Sequence, residues 1–116
     1  FEFEVIDGQI PYDILLDETE ADLVDMELDL YWIRNAGVDP VSYFESHSGR
    51  FSMLHVKDMD EFGRMVDVGS GEINFAEIFS HANTAGFKHF FVEHDRPGNG
   101  MASVAVSLYT VRNIVF

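Results

Sequence analysis

The sequence predicts an α/β domain assembled from strand-helix units with parallel strands, and three observations predict it. Apolar residues alternate with polar ones over short stretches at 23–32, 51–57 and 87–95. Helix-patterned segments separate those stretches, long enough for the crossover of a dozen or more residues that parallel neighbours need. Each stretch also closes on polar residues spaced two apart, Glu27 and Asp29, His55 and Lys57, Glu93 and Asp95, with apolar residues on the opposite parity. One design repeated on three strands fits the C-terminal edge of a parallel sheet, where α/β folds bind their ligands.

The elements follow in order. "FEFEVI" (1–6) alternates apolar and acidic residues up to the turn pair Asp7-Gly8 and reads as a strand or extended loop. "PYDILLDET" opens with Pro11 where a helix tolerates proline best, so a short helix follows. "LVDMELDLYW" (23–32) reads as a strand with Met26, Leu28 and Leu30 on one face and Glu27, Asp29 and Tyr31 on the other. In "DPVSYFESHSG" (39–49) Asp39 is an N-cap, Pro40 the first helical residue and Gly49 the stop. The strand that follows directs Phe51, Met53, His55 and Lys57 to one side, and Ser52, Leu54, Val56 and Asp58 to the other. A polar segment with turn glycines leads to "FAEIFSHANTAG", a helix ended by Gly86. "FKHFFVEHD" (87–95) is the last strand, and "MASVAVSLYTVRNIVF" (101–116) an apolar C-terminal helix.

Composition narrows the function classes. At 116 residues with 47% apolar and 14% aromatic content, residues 1–116 suffice for a single folded unit with its own core. A formal charge of -14 repels phosphate-rich surfaces, which argues against nucleic-acid and anionic-membrane partners and favours small ligands or cations. The chain has no cysteine, so a metal would be held by oxygen and imidazole donors. It contains no apolar run of about 18 residues and no basic-then-apolar leader at its start, and a cytoplasmic location is the expectation, export aside.

Three adjacent parallel strands would bring Asp29, His55 and Glu93 to a common point. Two carboxylates and an imidazole suit Mn²⁺, Mg²⁺, Co²⁺ or Zn²⁺. Lys57 shares the parity of His55 and is a candidate substrate contact, although Lys57 and Asp58 could equally form a surface pair of little energetic value. Tyr31 and Trp32 are either packing residues or rings at a pocket mouth of the kind that stacks on a sugar face. "GSG" at 69–71 lacks the third glycine and preceding strand of a dinucleotide fingerprint and reads as a turn. His47, His81, His89 and His94 are scattered and read as structural.

Four blocks carry a resemblance: "ELDLYWIRNAGVDPVSYF", "GRFSMLHVKDMD", "VDVGSGEINFAEIF" and "AGFKHFFVEHD". In this order, and over nearly the whole chain, they resemble the sugar phosphate isomerase/epimerase family, whose fold is the xylose-isomerase-like TIM barrel. The resemblance implies a divalent metal at the C-terminal mouth, with Asp29, His55 and Glu93 matching three of four family ligands. The fourth has no counterpart here. Because a (β/α)8 barrel takes about 250 residues, the chain reads as the C-terminal half, with strands 6 to 8 and their helices. The implied reaction is isomerisation or epimerisation of a sugar or sugar phosphate by proton transfer through an enediolate. Glu93 would be the acid/base and a ligand, Lys57 would neutralise developing oxyanion charge, and Trp32, Lys57 and Asp95 would contact substrate. The missing N-terminal half is the expected partner, with homo-oligomerisation as an alternative cover for the open barrel. The same scaffold resembles dehydratases of cyclic polyols, lyases or hydrolases of keto-sugars, and apurinic endonucleases, the last disfavoured by the seven Lys and Arg. A catalytically incomplete binding fragment is the remaining alternative.

Overall fold

The computed structural model describes residues 1–115; Phe116, the last residue of the expected C-terminal helix, lies outside them. In chain order the elements are α1 (Pro11–Glu18), β1 (Met26–Asp29), α2 (Leu30–Asn35), α3 (Pro40–Ser46), β2 (Phe51–Val56), β3 (Asp58–Met59), β4 (Met65–Val66), α4 (Phe75–Ser80), α5 (Ala82–Ala85), β5 (His89–Val92) and α6 (Gly100–Asn113). β1, β2 and β5 form a parallel sheet in that order, and β3 pairs with β4 as a separate antiparallel hairpin. The crossovers between parallel strands carry the helices, as the spacing predicts.

The alternation of the strands sets the two faces of the sheet. Leu28, Leu54 and Val56 are fully buried with Ile33, Phe44, Phe75 and Ile78 of the helices. Glu27, Asp29, Met53 and His55 take the opposite parity and are partly or fully exposed. One expected side chain crosses over. Phe51 was expected beside Met53, but it is fully buried with its ring 5.3 Å from Phe44 of α3. The register explains it: Met26 pairs with Phe51 while the next residue, Glu27, pairs with Met53, so β2 carries an extra residue at Ser52 and the alternation restarts there.

Of the strand or loop expected over residues 1–6, the structure has a loop and no strand; Asp7 and Gly8 both take positive φ (51° and 82°), and Ile6 and Gln9 exchange backbone hydrogen bonds across the expected turn. Several other expectations are corrected. The strand expected to run through Trp32 ends at Asp29, because the Asp29 carboxylate accepts from the backbone N–H groups of Tyr31 and Trp32 and starts α2. Tyr31 and Trp32 therefore stand on a helix. The single helix expected over 75–86 is two, broken at His81, with Gly86 (φ 91°) ending the second as a left-handed cap. The last strand is His89–Val92, so Glu93 and Asp95 lie just beyond it.

Asp58 is the largest departure from expectation. It forms no surface pair with Lys57 but is fully buried, and its two oxygens accept from four backbone N–H groups, those of Met59, Gly69, Gly71 and Ile73. The GSG segment is thus a turn wrapped around a carboxylate. A Cβ at Gly71 would collide with Asp58 Oδ1 and the Met59 carbonyl, which is why glycine stands there.

On α6, Ser103 and Ser107 are buried while Met101, Val104, Leu108 and Tyr109 are exposed. On β5, Phe90, Phe91 and Val92 are each at least 40% exposed. No helix among the described residues is long and apolar enough to cross a membrane.

Candidate metal centre

Asp29 divides its carboxylate between two tasks. Oδ1 accepts from Tyr31 N and Trp32 N, both at 3.0 Å, which fixes the side chain at the strand end. Oδ2 is left facing His55 and Lys57, at 3.4 Å from His55 Nδ1 and 3.1 Å from Lys57 Nζ. His55 is the register partner of Asp29 on β2. Glu93 is set by the sheet as well, because its N–H extends the β2–β5 ladder by donating to Val56 O at 3.1 Å. Its Oε2 lies 3.6 Å from His55 Nδ1.

The sequence-predicted ligands therefore meet: Asp29, His55 and Glu93 each offer a donor atom, all within 4.8 Å of one another. Donor atoms bound to one small divalent ion at about 2.0–2.3 Å, at tetrahedral to octahedral angles, stand roughly 3–3.7 Å apart. The two His55 Nδ1 distances already fall in that range. Oxygen and imidazole donors also match the cysteine-free chain.

Lys57 adjoins the group. Its ammonium is buried and ion-paired to Asp29 (3.1 Å), Glu93 (3.0 Å) and Asp95 (2.9 Å). Burial alone disfavours its charge, but hydrogen bonds to Asp95, Glu93 and Asp29 outweigh that, and the group is held above the usual lysine range. Counting Glu27, whose Oε1 is 3.2 Å from His55 Nε2, four carboxylates surround one ammonium and one imidazole. The excess negative charge favours a cation.

The predicted substrate contacts are also close by. Trp32, 44% exposed, lines the cleft with Glu27, Asp29, His55 and Lys57, and its ring packs edge-on against Tyr31. It also lines a second opening, with His94, Asp95 and Arg96. Asp95 is not among the residues lining that cleft but pairs with Lys57, which is itself buried among the three carboxylates. Sequence reasoning gave no role to Glu27, Glu2 or Tyr12, which line the same cleft; the parity Glu27 shares with Asp29 was the available signal.

His94, read from sequence as structural, holds Asp67 at 2.8 Å through Nδ1. Ser103 completes a set of residue types found in catalytic triads, without their wiring. Its hydroxyl donates to Asp67, and it approaches the same Nδ1 at 3.5 Å instead of the other ring nitrogen. The cluster ties the end of β5 to α6.

No protein-family model and no curated protein matches the chain. Solved structures do. A sugar phosphate isomerase/epimerase from Parabacteroides distasonis ATCC 8503 superposes with a TM-score of 0.80 at 30% identity, over 96% of this chain and 41% of that one. A second structure under the same description, from the same organism, gives 0.72 at 31% identity, over 96% and 42%. The chain has the fold of part of a sugar phosphate isomerase/epimerase barrel. It spans about 41% of the length of the first of these structures, as a partial barrel with three adjacent parallel strands does.

Proposed function

We propose that the whole protein is a divalent-metal-dependent isomerase or epimerase of a sugar or sugar phosphate, and that this chain is the C-terminal part of its barrel. The observation that carries the reading is the convergence of Asp29, His55 and Glu93 at the C-terminal edge of the parallel sheet. The likeness to sugar phosphate isomerase/epimerases supports it.

Asp29 Oδ2, His55 Nδ1 and a Glu93 oxygen would hold the ion. When bound, a divalent cation supplies Lewis-acid polarisation of the substrate's carbonyl and neighbouring hydroxyl oxygens. Glu93 takes the proton from the carbon next to the carbonyl; the C–H electron pair becomes the enediolate double bond and the carbonyl oxygen takes up the charge. For isomerisation the proton of the neighbouring hydroxyl passes to the former carbonyl oxygen while a proton is delivered to the neighbouring carbon, whose oxygen becomes the new carbonyl; delivery to the opposite face of the original carbon, with the carbonyl re-formed in place, gives epimerisation. Lys57, 3.0 Å from Glu93, holds that carboxylate in place, and Trp32 walls the cleft formed with Asp29, His55 and Lys57. The rest of the barrel would cover the exposed faces of β5 and α6 and supply a further ligand and the second acid/base.

The test is proton exchange. Ketoses with and without a phosphate are incubated with the Mn²⁺-loaded whole protein in D₂O, and deuterium at the carbon next to the carbonyl is followed by NMR. Wild type should incorporate it. Glu93→Gln keeps an oxygen donor but takes no proton, so exchange should fall far more than metal content. Undiminished exchange in the variant, or loss of water or a glycosyl group without exchange, would overturn the assignment.

A further inference from the structure

Glu27 belongs to neither the ligand group nor the Lys57 network. Lys57 pairs with Asp29, Glu93 and Asp95, whereas the ion-pair contact of Glu27 is with His55, on the ring nitrogen remote from the other carboxylates. His55 thus stands between two acidic groups, with Nε2 3.2 Å from Glu27 Oε1 and Nδ1 3.4 and 3.6 Å from Asp29 and Glu93.

A neutral imidazole carries one N–H and one lone pair, and only the lone-pair nitrogen can ligate. Which nitrogen that is depends on the hydrogen bond made by the other. Were the proton on Nδ1, it would point into the ligand group and leave the Nε2 lone pair against the Glu27 carboxylate, acceptor facing acceptor. With the proton on Nε2, Glu27 receives it and Nδ1 is free toward Asp29 and Glu93.

We propose that Glu27 is a positioning residue: its carboxylate accepts the Nε2–H of His55 and so holds Nδ1 as the donor that faces Asp29 and Glu93. The proposal rests on the metal reading above and adds the residue that orients the imidazole. The scaffold holds Glu27 there in two ways. It is on β1, paired to Met53 of β2 two residues before His55, and its carbonyl accepts from the Tyr12 hydroxyl at 3.0 Å. Glu27 is not itself a ligand in this arrangement, because it lies on the far side of the ring.

The test reads the tautomer directly. In ¹⁵N-labelled, metal-free whole protein, at a pH where the ring is neutral, long-range ¹H–¹⁵N spectra should show His55 as the Nε2–H form. Glu27→Ala should abolish that preference and weaken Mn²⁺ binding about 10–100-fold by titration calorimetry. Glu27→Gln keeps the shape and one acceptor, so its loss should be intermediate; it also serves if the alanine variant does not fold. An Nδ1–H tautomer in wild type, or wild-type Mn²⁺ affinity in Glu27→Ala, would overturn the proposal. Failure of the wild type to bind Mn²⁺ while the Nε2–H tautomer depends on Glu27 would overturn the metal reading and leave the role of Glu27 intact.

Discussion

Replacing Asp58 should destabilise the protein more than any substitution in the metal centre, although the hydrogen-bond partners of its carboxylate are backbone N–H groups of residues 59–73 and not the proposed ligands. Its Oδ1 accepts from Met59 N (2.8 Å) and Ile73 N (3.2 Å), and its Oδ2 from Gly69 N and Gly71 N (2.9 Å each). Hydrogen bonds to an ionised group contribute about 1.5–3 kcal/mol each, and a buried donor left unpaired costs about 1–3 kcal/mol. Asparagine keeps one oxygen but turns an NH₂ group toward two N–H donors, so two bonds become donor-donor conflicts. Allowing for partial relaxation of the loop, Asp58→Asn should cost about 3 kcal/mol and Asp58→Ala about 3–5 kcal/mol, out of a typical total of about 5–15. Close packing of Gly71 against Asp58 and the Met59 carbonyl leaves little room for water to replace the lost partners. Urea unfolding of the whole protein, followed by circular dichroism and extrapolated linearly, measures this. If Asp58→Asn unfolds within about 0.5 kcal/mol of wild type, the range of ordinary surface substitutions, the carboxylate is not what organises residues 67–73.

Three further outcomes follow from the same geometry. Asp29→Asn should keep the cap of α2, since asparagine caps as well as aspartate, and so leave thermal stability near wild type while calorimetric Mn²⁺ affinity falls sharply; Asp29→Ala should lose about 1 kcal/mol as well. The Asp67 carboxyl is held below its ordinary value by hydrogen bonds from Ser103 first and His94 second. Its contribution to stability is therefore full above the ordinary aspartate value and is lost as pH falls through the depressed one. NMR titration of Ser103→Ala should move the Asp67 midpoint up toward the ordinary aspartate value. The isolated 116-residue chain should self-associate and bind an apolar dye, because side chains such as Val104, Leu108 and Phe91 are 60, 45 and 48% exposed and each is worth roughly 1.5–3 kcal/mol when fully buried. A dye-silent monomer by light scattering would contradict that.

What the sequence made legible was whatever depended on period and on local signals. The alternation of Leu28 with Asp29, and of Leu54 and Val56 with His55, separated the buried face from the site face. Asp39-Pro40 and Gly86 marked helix ends that the structure keeps. Less visible were features set by tertiary contacts. Nothing local announces the extra residue at Ser52 that turns Phe51 to the helices, because the bulge is a property of pairing with β1. Tyr31 and Trp32 have strand propensity, yet the cap from Asp29 overrides it. The β3–β4 hairpin has two-residue strands, too short for a period to register. Asp58 resembles any surface aspartate until the loop that closes over it is seen. Within the site, parity brought Asp29, His55 and Glu93 together on paper, but the capture of Lys57 by three carboxylates and the place of Glu27 behind His55 required side-chain geometry.

The central claim is that these three strand ends hold one divalent ion. Crystals of the whole protein grown with Mn²⁺, with diffraction recorded on both sides of the manganese absorption edge, test it most directly. The account predicts one strong anomalous peak about 2.0–2.3 Å from Asp29 Oδ2, His55 Nδ1 and a Glu93 oxygen, absent in His55→Ala. A peak bound elsewhere, or none near these atoms at saturating Mn²⁺, would contradict it.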